Sequence, residues 1–119
     1  MNRDQLRALP VDALIEVNLS GEDTKEGYPL SELLPEAERL VSLSGIRIRG
    51  VMTMASFTAT ESELHRTFAE ARGARDTLIE AGHPAEELSM GMSNDYQIAV
   101  EEGATMVRLG TTLFGARAK

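Results

Sequence analysis

The residues of this chain best suited to chemistry lie in the stretch LSMGMSNDYQIAVEEGATMVRLGTTLFG, Leu88 to Gly115. Ser93, Thr111 and Thr112 offer hydroxyls, Gly110 frees backbone N–H groups, and Arg108 brings a permanent positive charge. In order, the stretch reads as strand, tight turn, short helix, strand and glycine turn. Leu88 to Gly91 is a short apolar run, Ser93 stands as a hydroxyl N-cap, and Asp95 places negative charge in the first helical turn. Ile98, Ala99 and Val100 give that helix a partly apolar face, and Gly103 ends it within about three turns. Thr105 to Leu109, interrupted by Arg108, forms the returning strand. The positive end of the helix, the Gly110 amides and the hydroxyls converge on one dianion, so the chemistry implied is phosphate binding.

Such groups need a framework, and the preceding residues supply an alternation of strands and helices. Asn2 to Leu9 is a short helical candidate, and Ala13 to Leu19 is a strand with Glu16 and Asn18 embedded in it. Gly21 to Gly27 is a loop. Leu30, Leu33, Leu34, Ala37, Leu40 and Val41 recur at helical spacing, with Pro35 either starting the regular helix or kinking it. Ile46 to Met54 is a second strand. Thr60 and Glu63 form a capping-box pattern, Leu64, Phe68, Ala71 and Leu78 mark one helical face, and Gly82-His83-Pro84 stops the helix.

Four strands, each followed by a helix or helix-like turn without a Pro-, Gly- or Ser-rich linker, make residues 1–119 one α/β domain. This order predicts parallel pairing and a ligand at the carboxyl ends of the strands. A closed eight-stranded barrel takes about 250 residues, so four βα units amount to half of a TIM-type (β/α)8 barrel. The phosphate site of such a barrel follows its last two strands, which identifies the C-terminal half.

Composition narrows the partners. The 119 residues are 42% hydrophobic and 26% charged, the balance of a globular protein, and the net charge of -7 leaves no Lys/Arg excess for neutralising nucleic-acid phosphates. The absence of cysteine removes disulfides, thiolate nucleophiles and thiolate metal sites, and it fits a reducing compartment. No apolar run has transmembrane length, and Met1 to Pro10 is unlike a secretory signal, so the expectation is a cytoplasmic protein with no membrane partner.

The stretch LSMGMSNDYQIAVEEGATMVRLGTTLFGAR is similar to the C-terminal signature of the pyridoxal phosphate homeostasis protein family, the YggS-type proteins, which share the alanine racemase N-terminal barrel. LIEVNLSGEDTKEG resembles that family's fifth-strand segment and IRGVMTM its sixth strand, so the resemblance covers about residues 12 to 117. It implies that Ser93, Gly110 and Thr111 hold the phosphate of pyridoxal 5'-phosphate (PLP) and that Arg108 faces the pyridine nitrogen. A guanidinium stays charged and cannot accept a proton, so it keeps that nitrogen unprotonated and weakens the ring as an electron sink. The resemblance thus implies a noncatalytic PLP carrier. Full-length members begin with four further βα units and carry the Schiff-base lysine after the first strand. The lysines here are Lys25 and Lys119, neither equivalent to it, so PLP is expected to bind noncovalently. Either two copies form a homodimer or an N-terminal half complements the chain. The alternative reading is half of a fold-type III PLP enzyme, such as an amino-acid racemase, with a second chain supplying lysine and base.

Each signal also has a structural reading. Ser93 is a helix cap in most contexts, and Arg108 pairs equally well with Glu101 or Glu102. Met52, Met54, Met90 and Met92 belong to packing beside the site. His65 and His83 lack a second ligand at metal spacing, so no metal is expected.

Overall fold

The computed structural model describes residues 10–19 and 27–110. Its elements are β1 (Val11–Asn18), β2 (Tyr28–Pro29), α1 (Leu30–Leu40), β3 (Ile46–Met52), α2 (Glu61–Glu80), β4 (Glu87–Met92), α3 (Tyr96–Glu101) and β5 (Met106–Arg108). The strands form one parallel sheet in the order β2-β1-β3-β4-β5. The expected alternation is present, with one addition. The two-residue strand β2 pairs Val17 with Tyr28 and Asn18 with Pro29 at the sheet edge; it is too short to show an alternating pattern in sequence.

Helix formation follows local chemistry. In α2 the Thr60 hydroxyl accepts from the Glu63 amide while the Glu63 carboxylate accepts from the Thr60 amide, the reciprocal capping box. Helix α1 starts at Leu30 after Pro29 in extended conformation, and it runs through Pro35 rather than starting there. Beyond α2, Gly82 takes φ +107°, and His83 is buried with Nε2 donating to the Ala37 carbonyl at 2.8 Å. His83 therefore braces α1 against the end of α2.

Alternation along the strands separates two faces. Ile15 and Val17 of β1, Ile48 and Val51 of β3, and Leu88 and Met90 of β4 join Leu33 and Ala37 of α1, Leu64, Phe68, Ala71, Ala74 and Leu78 of α2, and Ala99 of α3 in one core. Burying a side chain the size of Phe68 or Leu78 contributes about 1.5–3 kcal/mol each. The opposite face carries Glu16, Met52, Ser89 and Met106, which are register partners in one row across four strands. Gly50 leaves room for the β4 backbone, because a Cβ there would collide with the Glu87 backbone. Opposite it the register shifts between Ala13 and Leu14, so Arg49 is the extra residue of a bulge.

Candidate functional site

The carboxyl end of β4 is shaped by a glycine and an aspartate. Gly91 has φ +106°, and a Cβ on it would lie 2.7 Å from the Ala99 Cβ and 3.2 Å from Val107 Cγ1. Only glycine lets β4, α3 and β5 meet there. The chain then turns through Ser93 and Asn94. The Asp95 amide donates to the Met92 carbonyl at 3.1 Å, and the Met92 amide donates to Asp95 Oδ1 at 2.7 Å. The side chain of Asp95 is spent on this turn, and it caps no amide of α3.

This geometry corrects the sequence reading of Ser93 and Asp95. Helix α3 begins at Tyr96, not beside Ser93, and Asp95 precedes it instead of charging its first turn. The helix is also only six residues long, so its dipole has little to offer a phosphate. Ser93 is half-buried in the turn, on the rim of a shallow concavity of about 210 Å³ shared with Asn94, Asp95 and Tyr96.

The neighbouring strand brings the second group. Arg108 is the register partner of Met92, so Ser93 and Leu109 are the first residues beyond the ends of two adjacent parallel strands. Val107 faces Gly91 and α3. By alternation Met106 and Arg108 lie on the other side, away from the helices. Arg108 is half-buried, and among the described residues it has no hydrogen-bond or ion-pair partner. Glu101 and Glu102, the acids weighed as its structural partners, lie against His65, and Glu102 also against Arg72. Gly110 is exposed two residues further on. The structure therefore brings the turn bearing Ser93 beside the end of β5 at Arg108 and the residues that follow it, while Thr111, Thr112, Lys25 and Lys119 lie outside the described residues.

A polar cluster fixes the far end of α3. His65 Nδ1 lies 2.8 Å from Glu102 Oε2, Arg72 Nη1 donates to the Glu102 carbonyl at 2.8 Å and to Oε1 at 3.2 Å, and Glu101 Oε2 is 3.7 Å from His65 Nε2. The hydrogen bond to His65 holds the Glu102 carboxyl below the usual range, and the same bond raises the His65 imidazole. Among the described residues no cluster of His, Cys, Asp or Glu suits a metal, and no helix is long and apolar enough to cross a membrane.

Thr53 is a residue that sequence reasoning passed over. Just beyond β3, its amide donates to the Ser89 carbonyl of β4 at 3.1 Å and its buried hydroxyl to the Val17 carbonyl of β1 at 2.8 Å. Three strands are thereby tied together at the end where the site lies. A hydroxyl within the apolar run VMTM was the available signal. Of the methionines, Met90 is core, 1% exposed, and Met52, Met54 and Met92 are half-buried.

Comparison with known proteins places these features in a family. The sequence profile of the alanine racemase N-terminal domain matches residues 3–118. The chain is 41% identical over 107 residues to the pyridoxal phosphate homeostasis protein of Aquifex aeolicus, covering 89% of this chain and 47% of that protein. Its counterpart in Pseudomonas aeruginosa is 41% identical over 108 residues, covering 91% of this chain and 46% of that protein. The chain thus spans about half the length of the curated relatives it matches. An unknown protein from Bifidobacterium adolescentis superposes with a TM-score of 0.80 at 35% identity, over 89% of this chain and 44% of that one. PipY of Synechococcus elongatus with PLP bound gives 0.69 at 33% identity, over 82% and 46%. The parallel sheet and the profile agree, and the chain belongs to the family of the alanine racemase N-terminal domain.

Proposed function

We propose that the loops leaving β4 and β5 bind PLP, and that the protein serves the homeostasis of this cofactor without catalysing a reaction. The observation that carries this reading is Arg108. A half-buried guanidinium without a described counter-charge, on the face away from the helices and beside the Ser93 turn, is suited to a ligand that brings its own electron-rich group. The donor set fits PLP: the Ser93 hydroxyl, the Gly110 amide and the Thr111 hydroxyl for the phosphate, and Arg108 for the ring nitrogen.

When bound, PLP supplies an aldehyde and an electron-withdrawing ring. Arg108 limits the second of these, because it only donates hydrogen bonds and leaves the ring nitrogen without a proton. Storage or delivery is served by such a site better than carbanion chemistry. The names of the relatives and the PLP-bound form of PipY support the same ligand.

The parallel sheet is read as the C-terminal half of a (β/α)8 barrel, with β2 and β5 as its edge strands among the described residues. Those edges favour a second copy of the chain or an N-terminal half. Binding to these 119 residues is noncovalent, with Lys25 and Lys119 taking no part.

Absorbance titration with PLP and, in parallel, with a simple sugar phosphate tests the proposal. Saturable binding of PLP with at least tenfold preference over the sugar phosphate is expected; equal affinity for the two would reduce the site to generic phosphate binding and overturn it.

A further inference from the structure

We propose that Asp95 is the positioning residue of the phosphate site, acting through the turn that presents Ser93; this rests on the assignment of Ser93 to the PLP phosphate. Asp95 is 7% exposed. Aspartate is rarely so buried unless its carboxylate is satisfied by specific donors. Its position immediately before α3 invites the reading of a helix cap, yet it makes no side-chain bond to that helix. The carboxylate reaches backward instead, to the Met92 amide at 2.7 Å.

Together with the Asp95 amide on the Met92 carbonyl at 3.1 Å, this closes the four-residue turn from both directions. Ser93 and Asn94 are the two residues held between the closures. Gly91, immediately before the turn, seats it against α3 and β5. A donor loop ordered before the ligand arrives loses less conformational entropy on binding than one ordered by the ligand.

Charge makes the role distinguishable from a direct contact. A carboxylate near a dianion is repulsive, so negative charge at Asp95 does nothing favourable for phosphate by itself. The useful property is the acceptor oxygen on the Met92 amide. Asparagine keeps that acceptor and drops the charge, whereas alanine loses both.

The test uses Asp95→Asn and Asp95→Ala in the same 119-residue chain. Affinities for PLP and for pyridoxal, which lacks the phosphate, are measured for each, and amide hydrogen exchange across residues 92–95 is followed without ligand. Loss of the acceptor in Asp95→Ala is expected to weaken PLP about tenfold, leave pyridoxal within about twofold, and speed exchange in the turn. Asp95→Asn is expected to keep the wild-type preference for PLP over pyridoxal or to increase it.

An Asp95→Ala variant that loses PLP and pyridoxal equally, or that exchanges like wild type, overturns the proposal. So does an Asp95→Asn variant that loses the preference for PLP, even if Asp95→Ala does not fold. Wild-type protein that shows no preference for PLP over pyridoxal overturns the assignment of Ser93 to the phosphate instead, and slow wild-type exchange at the turn identifies that case.

Discussion

The Thr53 hydroxyl donates to the Val17 carbonyl at 2.8 Å in a fully buried setting, joining the chain beyond β3 to the carboxyl end of β1. Because the Thr53 amide also reaches Ser89, the bond sets the spacing of strands beneath the proposed site. Thr53→Val keeps the shape and removes the donor, leaving the Val17 carbonyl without this partner. The expected loss is about 1–2 kcal/mol, measured by urea unfolding; stability equal to wild type would show that the bond holds nothing in place.

The pairing of His65 with Glu102 makes the seat of α3 depend on pH. The His65 imidazole is raised, so its contribution is present below the ordinary histidine value of 6.5 and is lost as pH rises through the raised value. The Glu102 carboxyl is lowered, so its contribution is present above the ordinary value of 4.5 and is lost as pH falls through the lowered one. The pair is therefore strongest between these ordinary values. Thermal unfolding against pH is expected to show a decline on the alkaline side that His65→Gln flattens. Parallel profiles for the two proteins would contradict the coupling.

Gly91 and Gly82 separate backbone strain from crowding. Both have positive φ, +106° and +107°, but a Cβ meets Ala99 at 2.7 Å only at Gly91, while nothing lies within 4 Å at Gly82. Gly82→Ala is expected to cost about 1 kcal/mol from φ alone, and Gly91→Ala about 1–3 kcal/mol more from overpacking. Chemical denaturation of the two variants reads the difference directly, and equal losses would mean that α3 shifts freely.

Much of the framework was legible because its signals are local. Thr60 with Glu63 announced the start of α2, and the spacing of Leu64, Phe68, Ala71 and Leu78 announced its buried face; both are present. Strand boundaries shifted by one or two residues, since Met52 to Met54 remains apolar after pairing ends. The site was legible in part. Ser93 in the turn after β4 and Arg108 at the end of β5 are neighbours, but the role of Asp95 was misassigned, because an aspartate two residues after a serine reads equally as a helix charge or as the closure of a turn. Only the direction in which the side chain reaches decides between them. Likewise, the question of whether Arg108 pairs with Glu101 or Glu102 is settled by His65 and Arg72, which approach those acids from a distant helix.

The proposed noncovalent binding makes a prediction about the lysines. Borohydride treatment of the chain with PLP, followed by intact mass and peptide mapping, is expected to leave Lys25 and Lys119 unmodified at stoichiometric ligand. A stoichiometric pyridoxyl adduct on Lys25 would contradict the noncovalent account.

Equilibrium dialysis of the purified chain against PLP, alongside Ser93→Ala and Arg108→Ala, tests the central claim most directly. Saturable binding to the wild type, weakened about tenfold or more by each substitution, is predicted from loss of one charge-assisted contact. Binding that both variants retain at wild-type strength, or no saturable binding by the wild type, would contradict it.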